Sequence, residues 1–301
     1  MAGTNQFTNY PCTIGAGTPF NLRQIGTGNW SGGQSEDVVI PAGLHRRDVV
    51  IVNNHSPMIS FDTADITTLL TQITDIEKGL ACPTGLDLYY QQRSSGGLFE
   101  SGSAHLHVNA TLGHLLLDSI SVSGVGPATA NLTFHELWDG SAAMSVPTAA
   151  SALGAAAPLF NSQFYRGAVT VGGTAIDSIT DVSVDFGLNI DKTIYGGSIG
   201  PTQLSVMTAT PTISVTTDDL GEFASKVVNS YGQNYSTLVV YLKKGSSGGL
   251  RGGSGTALSI SSSAGFVTAR SIRGGGVGNS STVLEFMPTT TMTFSLSATH
   301  P

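Results

Sequence analysis

Cysteine and charge are both scarce in this sequence. Cys12 and Cys82 are the only cysteines among 301 residues. Two distant cysteines do not build a disulfide scaffold, so we interpret both as free thiols of a reducing compartment. Charged residues make up 11% of the chain, its formal net charge is −7, and basic residues adjoin only at Arg46-Arg47 and Lys243-Lys244. Without an extended basic patch to neutralise a phosphate backbone, tight nucleic-acid binding is not expected.

Long apolar runs are missing as well. No stretch approaches the roughly 20 apolar residues that a membrane-spanning helix needs. Residues 1–10 lack the basic and apolar regions of a signal peptide. We therefore expect a protein that is neither embedded in a membrane nor secreted through a signal peptide.

Signatures of catalysis and of cofactor binding are also absent. His105 and His107 share a face of a predicted strand, but no cluster of Cys, His or carboxylates supplies further metal ligands. The glycine-rich runs 249–255 and 274–278 lack the Lys-Ser/Thr ending of a phosphate-binding loop and do not open a helix. We therefore expect no catalytic residue, no cofactor and no metal, and we interpret the chain as a non-enzyme.

Glycine and β-branched residues, in contrast, are abundant. The 38 glycines supply positive φ angles for tight turns, and the many Val and Thr residues suit a pleated sheet. A chain of 301 residues also exceeds the usual size of one domain. The composition therefore favours a mainly β protein with two domains.

The sequence contains an internal duplication. Residues 84–137 match residues 236–289 without a gap at an offset of 152, and upstream the offset becomes 154. The matches include apolar and aromatic pairs that a shared richness in Gly and Ser does not explain. Among them are Val52/Val206, Pro57/Pro211, Leu86/Leu238, Tyr89/Tyr241, Leu106/Leu258, Leu132/Leu284 and Phe134/Phe286. We interpret the chain as two diverged copies of one unit.

Each copy predicts one amphipathic helix. Thr63 is the expected N-cap of the first helix, and Asp65 is expected in its first turn. Apolar residues then follow at helical spacing from Ile66 to Ile73. The second copy repeats the pattern after Thr217. We expect each helix to pack its apolar stripe on a sheet.

Strands are predicted on both sides of these helices. The clearest are the segments 57–61, 86–90, 211–215 and 238–242. In the second copy, Gly172-Gly173 indicates a two-residue hairpin turn. Alternating apolar residues from Val182 to Ile190 indicate a half-buried strand.

A linker is predicted between the two copies. Residues 141–160 are rich in Ala, Ser and Pro and show no periodicity. They would separate a first β domain, residues 1–140 with an N-terminal arm at 1–19, from a second β domain, residues 161–301.

One part of the second copy resembles a known family. The run Ile179–Ile190, followed by Pro201 and by the run Ser205–Val215, resembles the tail tube, or major tail, proteins of siphophages. The resemblance implies two tandem β-sandwich or barrel domains, each with one flanking α-helix. It also implies a virion structural protein whose sheets join laterally into rings that stack into the tail tube, a conduit for DNA ejection. Such a protein is assembled in the host cytoplasm and belongs to the virion tail.

Two units in one chain have a geometric consequence for such a ring. Three chains of two units close the same ring as six single-unit subunits, so we expect a homotrimer with pseudo-sixfold character. The expected partners are further copies of the chain and other tail proteins, namely the tape measure, terminator and distal tail proteins, with no membrane. The negative net charge would let DNA pass without sticking.

The Gly/Ser-rich loops after Tyr90 and Leu242 are candidates for contacts between stacked rings. They are too long and too weakly hydrophobic for simple turns. The candidate residues are Ser94, Gly96, Gly97, Leu98, Gly248, Gly249, Leu250 and Arg251. The N-terminal arm is a further candidate, and an equally open interpretation is that all of these segments are mobile loops.

Two alternatives stay open at this point. The first is another virion component with duplicated β domains, such as a capsid or decoration protein, a tail terminator or a baseplate hub protein. The second is a tandem carbohydrate-binding module. Against the second, the repeat aligns Trp30 with Val184 and Trp138 with Thr290, so the tryptophans that a duplicated sugar site would keep are not shared.

Overall fold

The strands of the chain form several antiparallel sheets. A computed structural model describes residues 6–9, 12–23, 25–39, 49–93, 105–141, 144–152, 163–219, 221, 232–245, 255–273 and 281–301. This part of the chain is mainly β, as the composition predicts, and it contains one complete helix. Before the middle of the chain the strands are β1 (Gln6–Asn9), β2 (Cys12–Ile14), β3 (Phe20–Leu22), β4 (Ile25–Ser31), β5 (Gln34–Val39), β6 (Val49–His55), β7 (Met58–Thr63), β8 (Leu80–Cys82), β9 (Leu86–Arg93), β10 (His105–Ala110), β11 (Gly113–Ser123), β12 (Thr129–Glu136) and β13 (Thr148–Ser151). After it they are β14 (Phe164–Val171), β15 (Thr174–Ala175), β16 (Ile179–Asp185), β17 (Leu188–Thr193), β18 (Gln203–Ala209), β19 (Thr212–Thr217), β20 (Gln233–Tyr235), β21 (Leu238–Lys244), β22 (Thr256–Ser262), β23 (Gly265–Arg273), β24 (Ser281–Pro288) and β25 (Thr293–Thr299).

One sheet draws strands from both halves of the chain. Its ten strands follow the order β20-β23-β24-β19-β16-β11-β12-β7-β4, with β8 also paired to β11. A six-stranded sheet, β13-β10-β9-β2-β3 with β1 on β9, belongs to the first half, and a five-stranded sheet, β15-β14-β21-β22-β25, belongs to the second. The hairpins β5-β6 and β17-β18 form two separate two-stranded sheets.

Strand pairing repeats between the halves in the register that the duplication predicts. Leu132 on β12 lies opposite Phe61 on β7, and at the matching positions Leu284 on β24 lies opposite Val215 on β19. Irregularities repeat too: the β11-β12 ladder shifts register between Leu117 and Ser119, and the β23-β24 ladder shifts at the matching positions 269 and 271. Bulges disrupt a ladder and are not expected to coincide by chance. The two halves therefore share their pairing pattern in detail.

The prediction of one strand from Val182 to Ile190 is wrong. The chain leaves the ten-stranded sheet after Asp185 and enters the separate β17-β18 hairpin at Leu188. Gly187 makes this break because its φ is +55° and a Cβ there would lie 2.3 Å from the Thr210 carbonyl oxygen. Period-two alternation survives such a break, so sequence periodicity does not reveal it.

The first predicted helix is present as α1 (Ile66–Gln72), but its N-cap is Asp65 rather than Thr63. The Asp65 carboxylate accepts a hydrogen bond of 3.3 Å from the Thr68 N–H, whereas Thr63 ends strand β7. Ile66 and Leu69 are fully buried, as the apolar spacing predicts. The second predicted helix falls on residues of which only Asp218, Asp219 and 221 are described, and most of it lies outside the described part.

Two local predictions around the middle of the chain have different outcomes. The Gly172-Gly173 turn is confirmed, because Val171 lies opposite Thr174 across it and both glycines have positive φ. The predicted linker is not devoid of regular structure, because it contains β13, which pairs with β10. A four-residue strand with the sequence Thr-Ala-Ala-Ser is too short, and its side chains too similar, to be predicted from side-chain periodicity.

The core lies between the sheets and α1. Buried side chains alternate along β7 and β19, as expected for strands with one face on a core. The largest fully buried aromatic side chains are Phe134, Phe164, Phe186 and Phe286. Burial of each such ring stabilises the fold by about 1.5–3 kcal/mol relative to exposure. Across the described ranges, no helix has the length and apolar character needed to cross a membrane.

Candidate assembly interface

The halves are joined edge to edge by β11 and β16. Ile120 lies opposite Val184, and Val122 lies opposite Val182, with all four side chains buried. Beyond the paired strands, the Phe186 N–H donates to the Asp118 carbonyl at 2.9 Å, and the Gly124 N–H donates to the Thr180 carbonyl at 3.1 Å. The ten-stranded sheet therefore continues from one half into the other without a break.

On its polar side the same joint carries a short side-chain bond. The Ser123 hydroxyl donates to the Asp181 carboxylate at 2.5 Å. This hydrogen bond is the main reason that the pKa of Asp181 lies below its usual value. The contact ties the end of β11 to the start of β16 and fixes their register.

The two outer edges of the ten-stranded sheet are counterparts of the two strands of the joint. Strand β4 is the repeat counterpart of β16, and β23 is the counterpart of β11. In the described part of the chain, β4 pairs only with β7, and β23 pairs with β24 and, through residues 265–267, with β20. Each outer edge strand of the sheet is therefore the counterpart of a strand that is already paired in the internal β11-β16 joint.

Strand β4 also carries an aromatic side chain suited to an interface. Trp30 is half-buried against the core, and its Nε1–H has no hydrogen-bond partner among the described residues. Next to it, the Tyr90 hydroxyl donates to the Gly28 carbonyl at 3.1 Å, so this carbonyl is satisfied within the chain. Among the described residues Asn29–Ser31 pair with β7 alone, so this stretch is the part of β4 that we expect to pair with another strand.

The β17-β18 hairpin of the second half docks on the first half. The His55 N–H donates to the Ile199 carbonyl at 2.9 Å, and the Trp138 N–H donates to the Pro201 carbonyl at 2.6 Å. Lys192 Nζ donates to the Ser56 hydroxyl at 2.9 Å. The hairpin thus adds a second contact to the strand joint.

Buried ionisable groups lie where this hairpin meets the first half. Burial, together with the nearby charges of Lys192 and His114, lowers the pKa of His135 to about 4. Burial raises the pKa of Glu136, whose carboxylate accepts a 2.8 Å hydrogen bond from the Ser145 N–H and a second one from its hydroxyl. Burial also lowers the pKa of Lys192. The junction is therefore built around groups that resist becoming charged.

The face of the ten-stranded sheet that points away from the core is hydroxyl-rich and acidic. Along each strand these positions alternate with buried apolar ones. They include Ser60, Asp62, Ser119, Ser121, Asn131, Thr133, Asp181, Ser183, Asp185, Thr212, Ser214 and Glu285. Burial raises the pKa of Asp118, whose carboxylate also accepts a 2.6 Å hydrogen bond from Thr133. Among the described side chains on this face, few are positively charged and could bind a phosphate backbone.

The residues predicted for contacts between rings lie outside the described part. This applies to Ser94, Gly96, Gly97, Leu98, Gly248, Gly249, Leu250 and Arg251. Sequence reasoning missed the sheet edges β4 and β23 as candidate sites. The repeat register shows which strands are counterparts of β4 and β23. It does not show that those counterparts, β16 and β11, pair with each other, because that pairing is a tertiary contact.

His105 and His107 both lie on strand β10, as predicted. The backbone N–H of Gln92 donates to His105 Nδ1 at 3.1 Å, and His107 Nε2 lies 2.8 Å from Asp87 Oδ1 and stacks on Tyr89. In the described part of the chain, no three His, Cys, Asp or Glu side chains gather in a way that would hold a metal. His107 is thus paired and stacked, whereas the buried Nε2 of His105 has no hydrogen-bond partner among the described residues.

The two cysteines are free and buried, in agreement with the interpretation as thiols. Burial raises the pKa of Cys82 to about 12 and also raises that of Cys12. Thiols in this state are poor nucleophiles.

No protein-family model and no curated protein sequence matches this chain.

Proposed function

We propose that this protein is a structural virion component that polymerises into stacked rings and forms a phage tail tube. Each half would be one β-sandwich module with its own flanking helix. The repeated strand registers support this division, because a shared bulge position in both halves requires a shared backbone path.

The observation that carries the proposal is the internal β11-β16 joint. The joint is heterologous: the last edge of one module pairs with the first edge of the next. Heterologous contacts repeat until they close into a ring or extend into a filament. Since β23 and β4 are the counterparts of the joined strands, a second copy can continue the sheet with the same pairing. Ring closure at six modules would need three chains.

The acidic, hydroxyl-rich face supports the role of a DNA conduit. In a ring closed through these edges, the ten-stranded sheets would merge into one barrel, with this face on one side and the cores on the other. A surface with carboxylates and few cations repels a phosphate backbone. DNA would slide through such a barrel without being retained. Tape measure, terminator and distal tail proteins would be its partners within the virion tail.

Electron microscopy of the purified full-length chain tests this function. We expect rings with three chains, by mass measurement in solution, and long tubes of stacked rings at high protein concentration. A monomer that persists at high concentration, icosahedral shells, or rings with six chains would each contradict the proposal. Binding to a glycan array in the absence of tubes would favour the carbohydrate-binding alternative instead.

A further inference from the structure

A groove of about 680 Å³ lies where the first half meets the second. The segment after α1 forms one wall with Ile73, Asp75 and Glu77, and the second half forms the other with Ala209, Thr291 and Met292. Both halves therefore contribute to it, and it lies beside the base of the β17-β18 hairpin.

The corresponding place on the first half is filled by the tip of that hairpin. The repeat pairs Ala209 with His55 and Thr290 with Trp138, and these two residues of the first half donate their N–H groups to Ile199 and Pro201. The first half thus shows what a docked hairpin looks like at this position of a module. The hairpin that matches β17-β18 is β5-β6. It follows β4, at the outer edge of the ten-stranded sheet, so the second half that it would meet in the same way is that of another copy of the chain.

The side chains that receive a hairpin tip differ in size between the first half and the second half. On the first half the receiving residues are large, and the tip is small: a Cβ on Gly200 would lie 2.4 Å from the His55 carbonyl oxygen and 3.2 Å from the Met144 side chain. On the second half the receiving residues are Ala209 and Thr290, and the open groove lies beside them. The residues that align with Gly200 and Pro201 are Arg46 and Arg47, which lie outside the described part of the chain. Small receiving side chains and free volume beside them suit large incoming side chains such as those of two arginines.

Charge is complementary as well. Arg46 and Arg47 form one of the two adjacent basic pairs in the sequence, and Asp75 and Glu77 stand on the groove wall. Lys78 pairs with Asp75 at 2.8 Å, so Glu77 is the carboxylate on this wall that an incoming guanidinium would meet first. Arg binds carboxylates through a planar fork of donors, which favours it over Lys at such a contact.

We propose that this groove binds residues 44–47 of a second copy of the chain, with Arg46 and Arg47 against the acidic wall. The inference rests on the proposed function only in requiring that two copies join. It adds a second attachment point at each contact between chains and assigns the basic pair a partner.

Photo-crosslinking in a mixture of isotopically light and heavy full-length chains tests the proposal. A benzophenone amino acid at Thr291, which lies in the groove, should crosslink to the peptide that contains residues 44–47, in pairs of mixed isotope composition. The matched control carries the same group at Ser297, an exposed position of β25 outside the groove, and should not label that peptide. Crosslinks from position 291 to other segments, pairs of a single isotope composition, or no crosslink would each overturn the proposal.

A charge exchange provides the second measurement. Arg46→Glu with Arg47→Glu should weaken self-association in sedimentation experiments by roughly tenfold or more, because like charges then face each other. Adding Asp75→Lys and Glu77→Lys should restore it, and failure of this rescue would count against the contact. Mixed-isotope crosslinks without tubes would support the groove contact and contradict the tube function. Tubes without these crosslinks would support the tube function and contradict the groove contact.

Discussion

Thr63 and Thr217 make the same two hydrogen bonds in the two halves of the chain. Each hydroxyl donates at 2.6 Å to a backbone carbonyl 40 residues earlier, that of Arg23 or of Asp177. Each also accepts from the backbone N–H two residues later, at 3.0 Å from Asp65 and at 3.1 Å from Asp219. Both threonines are fully buried at the ends of matching strands, so each one anchors the turn that follows its strand.

Replacing either threonine with valine should destabilise the protein. Thr63→Val and Thr217→Val keep the side-chain volume of the buried threonine but remove both of its hydrogen bonds, one to a backbone carbonyl and one from a backbone N–H. We expect each to lower the free energy of unfolding by about 1–3 kcal/mol. Urea denaturation followed by circular dichroism measures the change, and Thr299→Val, at an exposed position of β25, is the control. Two variants as stable as this control would contradict the inferred role.

Two matching glycines should be intolerant of any side chain. A Cβ on Gly113 would lie 2.2 Å from the Phe134 ring and 2.5 Å from the His135 carbonyl oxygen, and a Cβ on Gly265 would meet Tyr235 and the Met287 carbonyl at the same two distances. Because backbone atoms cannot move aside cheaply, Gly113→Ala and Gly265→Ala should each cost about 1–3 kcal/mol.

The control for the glycine variants is Gly196→Ala. A Cβ at Gly196 meets nothing within 4 Å, and its φ is not positive. Thermal unfolding should place the control at or above the wild-type midpoint and both test variants below it. A test variant that matches the control would show that the crowding at that glycine relaxes without cost.

His135 should make stability fall as the pH drops below about 6.5. Its pKa is lowered to about 4 in the folded chain, so between these two values the unfolded state binds a proton that the folded state does not. The contribution is fully present above pH 6.5 and is lost towards pH 4, by up to about 3 kcal/mol. Glu136, whose pKa is raised, acts in the opposite direction, so a comparison of variants is needed.

His135→Met supplies that comparison, because Met287 occupies the matching position in the second half. Relative to the wild type, the variant should gain stability as the pH falls from 7 to 4, because it lacks the buried imidazole that takes up a proton when the chain unfolds. Urea denaturation at several pH values measures the difference. Parallel curves for the two proteins would mean that His135 titrates normally.

The sheet edges should pair between copies in the register of the internal joint. Ser119 lies opposite Asp185 within the chain, and the counterparts of this pair are Ser271 and Ser31. Facing residues of adjacent strands have Cβ atoms about 4.5–5.5 Å apart, which is close to disulfide geometry. Ser31→Cys with Ser271→Cys should therefore give oxidised species of two and three chains on non-reducing gels.

Two control pairs sharpen this experiment. Ser119→Cys with Asp185→Cys should crosslink within one chain and reports that the oxidation works. Ser31→Cys with Thr268→Cys is out of register and should give little product. Equal yields from the in-register and out-of-register pairs would contradict a defined joint between copies.

Much of the backbone path follows from the sequence through the duplication. The offsets of 152 and 154 predict which strands match, and the structure pairs Leu132 with Phe61 as it pairs Leu284 with Val215. The Gly172-Gly173 turn and the buried face of α1 were also accessible, because they depend on local backbone and side-chain preferences.

Features that depend on tertiary contacts were not accessible. Asp65 replaces Thr63 as the N-cap because strand β7 extends through Thr63 to pair with β12. The break at Gly187 depends on a close approach to Thr210. The β11-β16 joint depends on two segments whose individual patterns fit any half-buried strand. In each case the deciding partner lies far away in the chain.

The internal β11-β16 joint changes the kinetics of any assembly built from this chain. A contact within one polypeptide forms at a rate that does not depend on protein concentration, because the tether sets the effective concentration of its ends. Every second joint between modules of the polymer would then form during folding, before any two molecules meet. Dilution would act only on the remaining joints, so disassembly should release intact two-module chains rather than single modules.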